Sequence, residues 1–197
     1  MLALTRRSFF LIFLGLAVLA GLTFPRVRSA AANPAAQSEP GDPPLIDLTG
    51  YNQVIAANHG KAVMANFWAT WCAPCRTEYP MMVELSKEFG PQGLVVIGVN
   101  LDENQDMGLV RKFLATSRPD FQNFRQRPGI DADAFYAGVN PAWKGTMPQT
   151  DFYARDGHMA RYFIGDKQKD AYVQAIRLIL AVPLSDNREN ASPRVGN

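Results

Sequence analysis

Cysteine and histidine are the scarcest reactive side chains in this sequence of 197 residues, with two of each. Two cysteines cannot form the multi-bridge framework of a small disulfide-rich protein. A structural zinc site needs four ligands, and His59 and His158 are not at ligand spacing from the cysteines. A c-type haem site needs a histidine directly after the second cysteine, where this chain has Arg76. These absences argue against zinc, haem and a disulfide scaffold.

An excess of charge of either sign is also absent. The formal net charge is +2, and the segment from Leu45 to Pro183 contains 14 basic and 14 acidic residues. Proteins that bind the nucleic-acid backbone need a clear excess of Lys and Arg. We therefore expect no nucleic acid among the partners. The hydrophobic content of 47% is enough to build the core of one domain.

The two cysteines lie together in the stretch from Lys61 to Pro80. An apolar run, Val63–Trp68, predicts a buried strand, and the motif CAPC at residues 72–75 then opens a predicted helix. Cysteines at positions i and i+3 of a first helical turn are close enough to bridge. The helix start favours a thiolate, so Cys72 is the expected attacking thiol and Cys75 the resolving thiol. A purely structural disulfide is the alternative, although so short a loop gains little entropic stabilisation.

The phrase NFWATWCAPCRTEYP, from Asn66 to Pro80, resembles the thioredoxin superfamily and is most similar to its membrane-anchored TlpA/ResA-like branch. The resemblance covers residues 45–182. It implies an α/β thioredoxin-like fold with a central mixed β-sheet flanked by helices on both faces. It also implies a thiol–disulfide oxidoreductase whose redox-active disulfide is Cys72–Cys75, with no metal or organic cofactor.

The same resemblance implies a substrate-binding surface around the cysteines. Pro148 is the expected cis-proline, and Met147 before it is expected to offer its backbone to an extended substrate segment. A trans proline at a strand start is the alternative. Trp71 and Pro74 complete the expected surface, with Trp71 shielding one side of the pair.

An active-site carboxylate belongs to the TlpA/ResA pattern, and Glu103 in the string GVNLDE matches it by offset. A partly buried carboxylate near the thiols can exchange a proton with Cys75 during release of the partner. The alternative is that Glu103 only favours the dipole of the following helix from its first turn. We expect Glu78 to be a solvated helix residue, with a docking role as the alternative.

The family implies that the partners are protein thiols and disulfides and that the direction is reduction. Apocytochrome c during cytochrome c maturation, or another secreted thiol protein such as a metal-site assembly factor, is the expected substrate. A membrane thiol carrier of the DsbD/CcdA kind is the expected electron donor. Two alternatives stay open: the motif can run as an oxidant, or the domain can be a copper-delivery or chaperone module.

The amino terminus predicts export. Arg6-Arg7 precede an uncharged apolar run at residues 8–24, which fits an uncleaved membrane anchor or a cleaved signal sequence. We therefore expect a signal or anchor at 1–24 and a Pro/Ala-rich linker at 25–44. A thioredoxin-like domain is expected at 45–183 and a disordered tail at 184–197. These predictions place the domain in the periplasm, tethered to the inner membrane if the apolar segment is retained.

Sequence patterns also predict the remaining elements. Thr49 is the expected N-cap of a helix over residues 51–58. A buried strand at 94–100 is expected to follow the cysteine helix through a right-handed parallel crossover. Antiparallel strands are predicted at 145–154 and 159–165, with an Asp-Gly turn between them. The other predictions are a strand at 45–48, helices at 104–117, 131–137 and 167–181, and an extended piece at 120–124.

Overall fold

The computed structural model describes residues 41–183. The predicted signal or anchor at 1–24, nearly all of the predicted linker at 25–44 and the predicted tail at 184–197 lie outside the described residues. Between residues 41 and 183, no helix has both the length and the apolar character needed to cross a membrane.

Six strands form one mixed β-sheet. They are β1 (Leu45–Ile46), β2 (Ala62–Trp68), β3 (Leu94–Asn100), β4 (Gln122–Gln126), β5 (Gln149–Tyr153) and β6 (Met159–Ile164). Their order across the sheet is β1-β4-β3-β2-β5-β6. The first four in that order are parallel to one another, whereas β5 is antiparallel to β2 and β6 is antiparallel to β5. The parallel pairing of β2 with β3 and the final antiparallel hairpin are therefore present as predicted.

Five α-helices cover the two faces of this sheet. They are α1 (Leu48–Ala57), α2 (Ala73–Phe89), α3 (Met107–Ser117), α4 (Ala132–Val139) and α5 (Lys169–Ala181). Alternate residues of β2 explain the division, because successive side chains of a strand point to opposite faces. Phe67 packs in one core cluster with residues of α1 and α4, and Met64 packs in another with residues of α2 and α5. The predicted mixed sheet with helices on both faces is confirmed.

The start of α1 corrects one prediction, because Thr49 is not its N-cap. The carboxylate of Asp47 accepts a hydrogen bond from the Gly50 N–H at 2.9 Å and caps the helix. Thr49 therefore lies inside the first turn. The prediction failed because Asp and Thr are both good caps, and the choice between them depends on where β1 ends.

The start of β5 corrects a second prediction, because this strand begins at Gln149 and not at residue 145. Gly145 has a φ of +83°, which is outside the β region, and the indole N–H of Trp143 donates to the Thr146 carbonyl at 2.8 Å. Residues 145–148 thus form a loop. Because Gln149 pairs with Phe67, this loop lies beside the carboxyl end of β2.

Other elements differ from the predictions only at their ends. Residues 104–106 form a short 3₁₀ turn before α3, α4 extends to Val139, and α5 begins at Lys169. The predicted extended piece near residue 122 is β4, which pairs with both β3 and β1.

Candidate active site

The two cysteines form a disulfide at the start of α2. Their Cα atoms are 5.3 Å apart, and the backbone N–H of Cys75 donates to the Sγ of Cys72 at 3.3 Å. Cys72 is the N-cap residue of the helix. A negative charge on its sulfur would therefore face the free N–H groups and the positive end of the helix dipole. Cys72 is 6% exposed and Cys75 is 1% exposed, so Cys72 is the more accessible of the two cysteines.

Four further predicted residues lie near this disulfide. Trp71 is 63% exposed, which is unusual for so large an apolar side chain and is typical of a docking residue. Pro74 is in the first turn of α2 and is also exposed. Met147 packs against the core cluster that contains both cysteines, and the Met147–Pro148 peptide bond is cis. The structure thus brings the cysteine pair and the proline loop together.

Glu103 is not where a proton-exchanging carboxylate is expected. Its side chain is exposed at the start of the 3₁₀ turn before α3. It lines a small cavity of about 50 Å³ together with residues 126–130, and neither cysteine lines that cavity. The expectation of a partly buried Glu103 is therefore wrong, because the chain turns outward after Asp102.

Asp102, the residue before Glu103, has a structural role at the site. Its buried carboxylate accepts hydrogen bonds from the Thr70 N–H at 2.7 Å, from the Asn100 side-chain amide at 2.6 Å and from the Thr70 hydroxyl. These bonds fix the turn that leads from β2 into Trp71 and Cys72. A short turn held in this way fixes the position of the exposed Trp71 side chain relative to the Cys72 sulfur.

Glu78 is the buried carboxylate of the site, which contradicts the expectation of a solvated residue. It follows Cys75 by three residues, and both are buried, so the two side chains lie on the same face of α2. Its carboxylate accepts hydrogen bonds from the Asn66 amide at 3.0 Å and from the Tyr172 hydroxyl at 3.1 Å. Burial raises the pKa of Glu78 from 4.5 to about 7, although both hydrogen bonds oppose that rise.

The sequence does contain a signal for Glu78. The buried residues of α2 follow a helical stripe through Cys75, Tyr79, Met82 and Val83, and position 78 falls within it. A carboxylate on the buried side of a helix needs polar partners, and those partners come from β2 and α5. A carboxylate with a pKa close to neutral, next to a thiol pair, can accept a proton and release it again.

A cavity of about 500 Å³ connects Glu78 with the surface. It lies between α2 and the segment before α5, and Glu78 forms part of its wall. The other lining residues are Pro74, Thr77, Met81, Asp166, Lys167, Gln168 and Lys169. Protons and water can therefore reach the buried carboxylate from the side of α2 that carries Pro74.

A second, mostly apolar cavity of about 420 Å³ lies on the other side of α2, against α3. It is lined by Thr70, Arg76, Leu109, Lys112, Phe113 and Thr116. Leu109 is largely exposed there, and the Arg76 guanidinium donates to the Thr70 carbonyl. Because Thr70 in its wall directly precedes Trp71, the cavity begins at the turn that leads to Cys72.

A buried polar cluster supports the proline loop from the opposite face of the sheet. Asp151 of β5 accepts hydrogen bonds from the Asn140 amide at 2.9 Å and from the Gln149 amide at 2.6 Å. Burial raises the pKa of Asp151 from 3.8 to about 6. Asn140 ends α4, and Gln149 follows Pro148 directly, so Asp151 fixes both ends of the connection that carries Met147 and Pro148.

No cluster of three or more potential metal ligands occurs within residues 41–183.

Comparisons with known proteins agree with this geometry. A model of the AhpC/TSA family matches residues 42–161. The thioredoxin-like protein YneN of Bacillus subtilis (strain 168) is 39% identical over 90 residues, which cover 45% of this chain and 52% of YneN. The thiol-disulfide oxidoreductase ResA of the same organism is 33% identical over 103 residues, which cover 51% of this chain and 58% of ResA. The chain thus spans little more than half the length of these curated relatives.

A solved structure shows the same fold. It is that of a Chlorobium tepidum protein assigned as the thiol:disulfide interchange protein DsbE, with 27% identity and a TM-score of 0.54. The similarity covers 64% of this chain and 84% of that protein. Because the family model matches more than half of the sequence, the chain belongs to the AhpC/TSA family. The similarity to the solved structure shows that it has a thioredoxin-like fold.

Proposed function

We propose that the protein is a thiol–disulfide oxidoreductase that exchanges the Cys72–Cys75 pair with the thiols and disulfides of partner proteins. The observation that carries this proposal is the disulfide at the N-terminus of α2, with the loop of Met147 and Pro148 packed against its cluster. Trp71 provides an exposed apolar contact for the partner. The names of the ResA and DsbE relatives support the same chemistry.

The proposed reaction in the reducing direction has two steps. The Cys72 thiolate attacks one sulfur of a partner disulfide, so the partner's S–S bond breaks and one partner thiolate leaves. The Cys75 thiol then gives up its proton and attacks the Cys72 sulfur of the mixed disulfide. The second partner thiolate leaves, and the Cys72–Cys75 disulfide remains. Two electrons pass from the dithiol to the partner, and the reverse sequence oxidises a partner dithiol.

Glu78 is the proposed acceptor of the Cys75 proton, in place of Glu103. Glu78 shares the buried face of α2 with Cys75 and has access to the surface through the 500 Å³ cavity. Its pKa of about 7 lets it accept a proton from the thiol and return it to water at neutral pH.

We also propose the finer assignment that follows from the resemblance: reduction of secreted thiol proteins, such as apocytochrome c, in the periplasm. A membrane thiol carrier of the DsbD/CcdA kind would reduce the Cys72–Cys75 disulfide again. The support is the sequence around the cysteines and the export signal predicted at residues 1–24. In an oxidising compartment, a reductant of this kind depends on such a donor.

Reduction of insulin by the full-length protein, with dithiothreitol as electron source, tests the activity. We expect the wild-type protein to accelerate precipitation of the insulin B chain and Cys72→Ser to abolish the effect. Cys75→Ser is the matched control, because it keeps the attacking thiol and is expected to trap a mixed disulfide visible on a non-reducing gel. Wild-type protein that is no faster than Cys72→Ser contradicts the proposal and favours a binding module.

The equilibrium potential of the Cys72–Cys75 pair tests the direction. Titration against glutathione buffers, followed by thiol alkylation and mass spectrometry, gives its value. A potential at or below about −230 mV supports a reductant, whereas one near −120 mV is typical of an oxidant such as DsbA. The second result overturns the reducing direction and leaves the exchange chemistry intact.

A fusion of alkaline phosphatase after Pro44 tests export. Alkaline phosphatase is active only after it leaves the cytoplasm, because it needs disulfides. We expect activity in cells that produce the fusion and none when residues 8–24 are deleted. Inactive fusion protein that accumulates in the cytoplasm contradicts the periplasmic assignment.

A further inference from the structure

Four buried polar side chains from four different elements, Glu78 among them, form a closed hydrogen-bonded ring. Asn66 of β2 donates to Glu78 Oε1 at 3.0 Å and to Thr150 Oγ1 of β5 at 3.0 Å. The hydroxyls of Thr150 and Tyr172 of α5 are 3.3 Å apart, and the Tyr172 hydroxyl donates to Glu78 Oε2 at 3.1 Å. The ring joins the helix of the cysteines to the strand that follows Pro148.

We propose that Tyr172 is a positioning residue that holds Glu78 as a carboxylate, oriented to accept the Cys75 proton. This inference rests on the proposed function. In the proposed reaction, Tyr172 contacts neither sulfur and acts only through Glu78.

The direction of the hydrogen bonds supports this role. The Asn66 amide has two N–H groups, and it uses one for Glu78 and one for Thr150. The Tyr172 hydroxyl has one hydrogen and gives it to Glu78, so it must accept the hydrogen of Thr150. Every donor in the ring is then satisfied, and both carboxylate oxygens receive a hydrogen.

Protonation of Glu78 disturbs that arrangement. A proton on Oε2 must be donated to the Tyr172 oxygen, and Tyr172 must turn its own hydrogen toward Thr150. The Thr150 hydroxyl then has no acceptor within the ring. A buried donor without a partner is unfavourable, so the ring is matched to the ionised form of Glu78.

Few charged groups near Glu78 compete with the preference of the ring for the ionised carboxylate. The segment before α5 contributes Asp166, whose charge raises the pKa of Glu78, and Lys167, whose charge lowers it. Lys169 lines the same cavity, but its ammonium pairs with Glu84 at 2.9 Å. The side chains that face Glu78 from the sheet are the neutral Asn66 and Thr150, and burial keeps the pKa of Tyr172 far above its usual range. Removal of the Tyr172 hydroxyl is therefore the change that most directly affects the pKa of Glu78.

Titration of the Glu78 carboxyl carbon by ¹³C NMR in the oxidised full-length protein tests the inference without any catalytic step. The variant Tyr172→Phe removes only the hydroxyl, and we expect the midpoint of Glu78 to rise by about one pH unit, the usual equivalent of a hydrogen bond to a charged group. Tyr51→Phe is the matched control. It removes a buried hydroxyl that bonds to Tyr153 at 2.9 Å on the other face of the sheet, and it should leave the midpoint unchanged.

A second substitution gives an effect of the opposite sign and keeps the side chain in place. Replacing Tyr172 with 3-fluorotyrosine makes the phenol a stronger donor, so the Glu78 midpoint should fall below that of the wild type. The inference is overturned if the midpoint is the same in all the proteins, or if it moves equally in Tyr51→Phe. Because the variant with fluorotyrosine keeps the hydroxyl and so the hydrogen-bonded ring, this result does not depend on whether Tyr172→Phe folds.

The pH profile of insulin reduction connects the titration to the reaction. With Tyr172→Phe, the rising limb assigned to Glu78 should move to higher pH by the same amount as the NMR midpoint, and the rates should converge with wild type at alkaline pH. A shifted midpoint with an unchanged profile overturns the positioning role. If wild-type protein reduces no insulin at all, the proposed function fails instead, and the NMR titration distinguishes the two failures.

Discussion

Trp71 and Cys72 are adjacent in sequence and opposite in exposure. The indole is 63% exposed, whereas the cysteine is 6% exposed, and the turn between β2 and α2 that contains them is fixed by Asp102. In the proposed reaction, a partner disulfide must therefore reach a recessed sulfur next to a protruding apolar ring. Protein partners can gain affinity from the ring, but a small disulfide gains almost nothing from it.

Trp71→Ala is expected to lower kcat/KM for insulin by about 3- to 10-fold, with most of the change in KM, because it removes an exposed aromatic contact. The rate with a small disulfide such as hydroxyethyl disulfide should stay close to that of the wild type. Stopped-flow or coupled assays with both substrates measure this difference. Tyr162→Ala, which removes an exposed tyrosine from β6, is the control and should affect neither substrate. Equal losses on both substrates with Trp71→Ala contradict a docking role.

The cysteines could be identified from their spacing alone, whereas the helical stripe that places Glu78 on the buried side of α2 does not show which groups pair with it there. The CxxC motif depends only on residues within one helical turn, so its spacing is sufficient. The burial of Glu78 depends on Tyr172, which is 94 residues away, and on Asn66 in the preceding strand. Glu103 is close to the strand end in sequence but turns outward, because Asp102 takes the buried position beside Thr70.

At the scale of the elements, the long apolar strands and the amphipathic helices were predictable, and their ends were not. β2 and β3 are nearly continuous apolar runs, which are typical of strands covered on both faces. The ends depend on single contacts, such as the cap at Asp47 or the bond from Trp143 to Thr146. Such contacts decide between neighbouring residues of similar propensity, so they require the tertiary structure.

Gly98 of β3 shows how close the packing is between the sheet and α2. The Oδ1 atom of Asn123 in β4 accepts hydrogen bonds from the Trp68 indole at 3.1 Å and from the Tyr79 hydroxyl at 2.9 Å. A Cβ atom at position 98 would be only 2.1 Å from that oxygen. Strand, neighbouring strand and cysteine helix therefore meet at a point where only glycine fits.

Gly98→Ala is expected to lower the free energy of unfolding by about 1–3 kcal/mol, because Asn123 must move and the bonds to Trp68 and Tyr79 weaken. Urea unfolding followed by tryptophan fluorescence measures the change. Gly108→Ala is the matched control, since a Cβ atom there meets nothing within 4 Å and the residue lies in α3. That substitution should raise stability by up to about 1 kcal/mol through helix propensity. An unchanged midpoint for Gly98→Ala contradicts the packing argument.

At the scale of the whole molecule, the sheet separates two buried carboxyl groups. Glu78 lies on the face covered by α2 and α5, where its cavity opens to the surface beside the cysteines. Asp151 packs on the opposite face, where it supports the loop that carries Pro148. Each side of the candidate active site thus contains a buried carboxyl group. Buried carboxyl groups with a raised pKa make the stability of the fold depend on pH.

We expect the free energy of unfolding of the oxidised protein to fall by about 2–4 kcal/mol between pH 5 and pH 8. Burial raises the pKa of Glu78 to about 7 and that of Asp151 to about 6, both above their unfolded values, so the folded state holds these protons more tightly. The resulting stabilisation is complete below about pH 4 and is lost as the pH rises through 6 and 7. Urea unfolding at several pH values should show Asp151→Asn flattening the lower part of this decline and Glu78→Gln the upper part. The exposed control Asp120→Asn should leave the decline unchanged. A wild-type stability that is constant from pH 5 to pH 8 would mean that neither carboxyl group is buried as described.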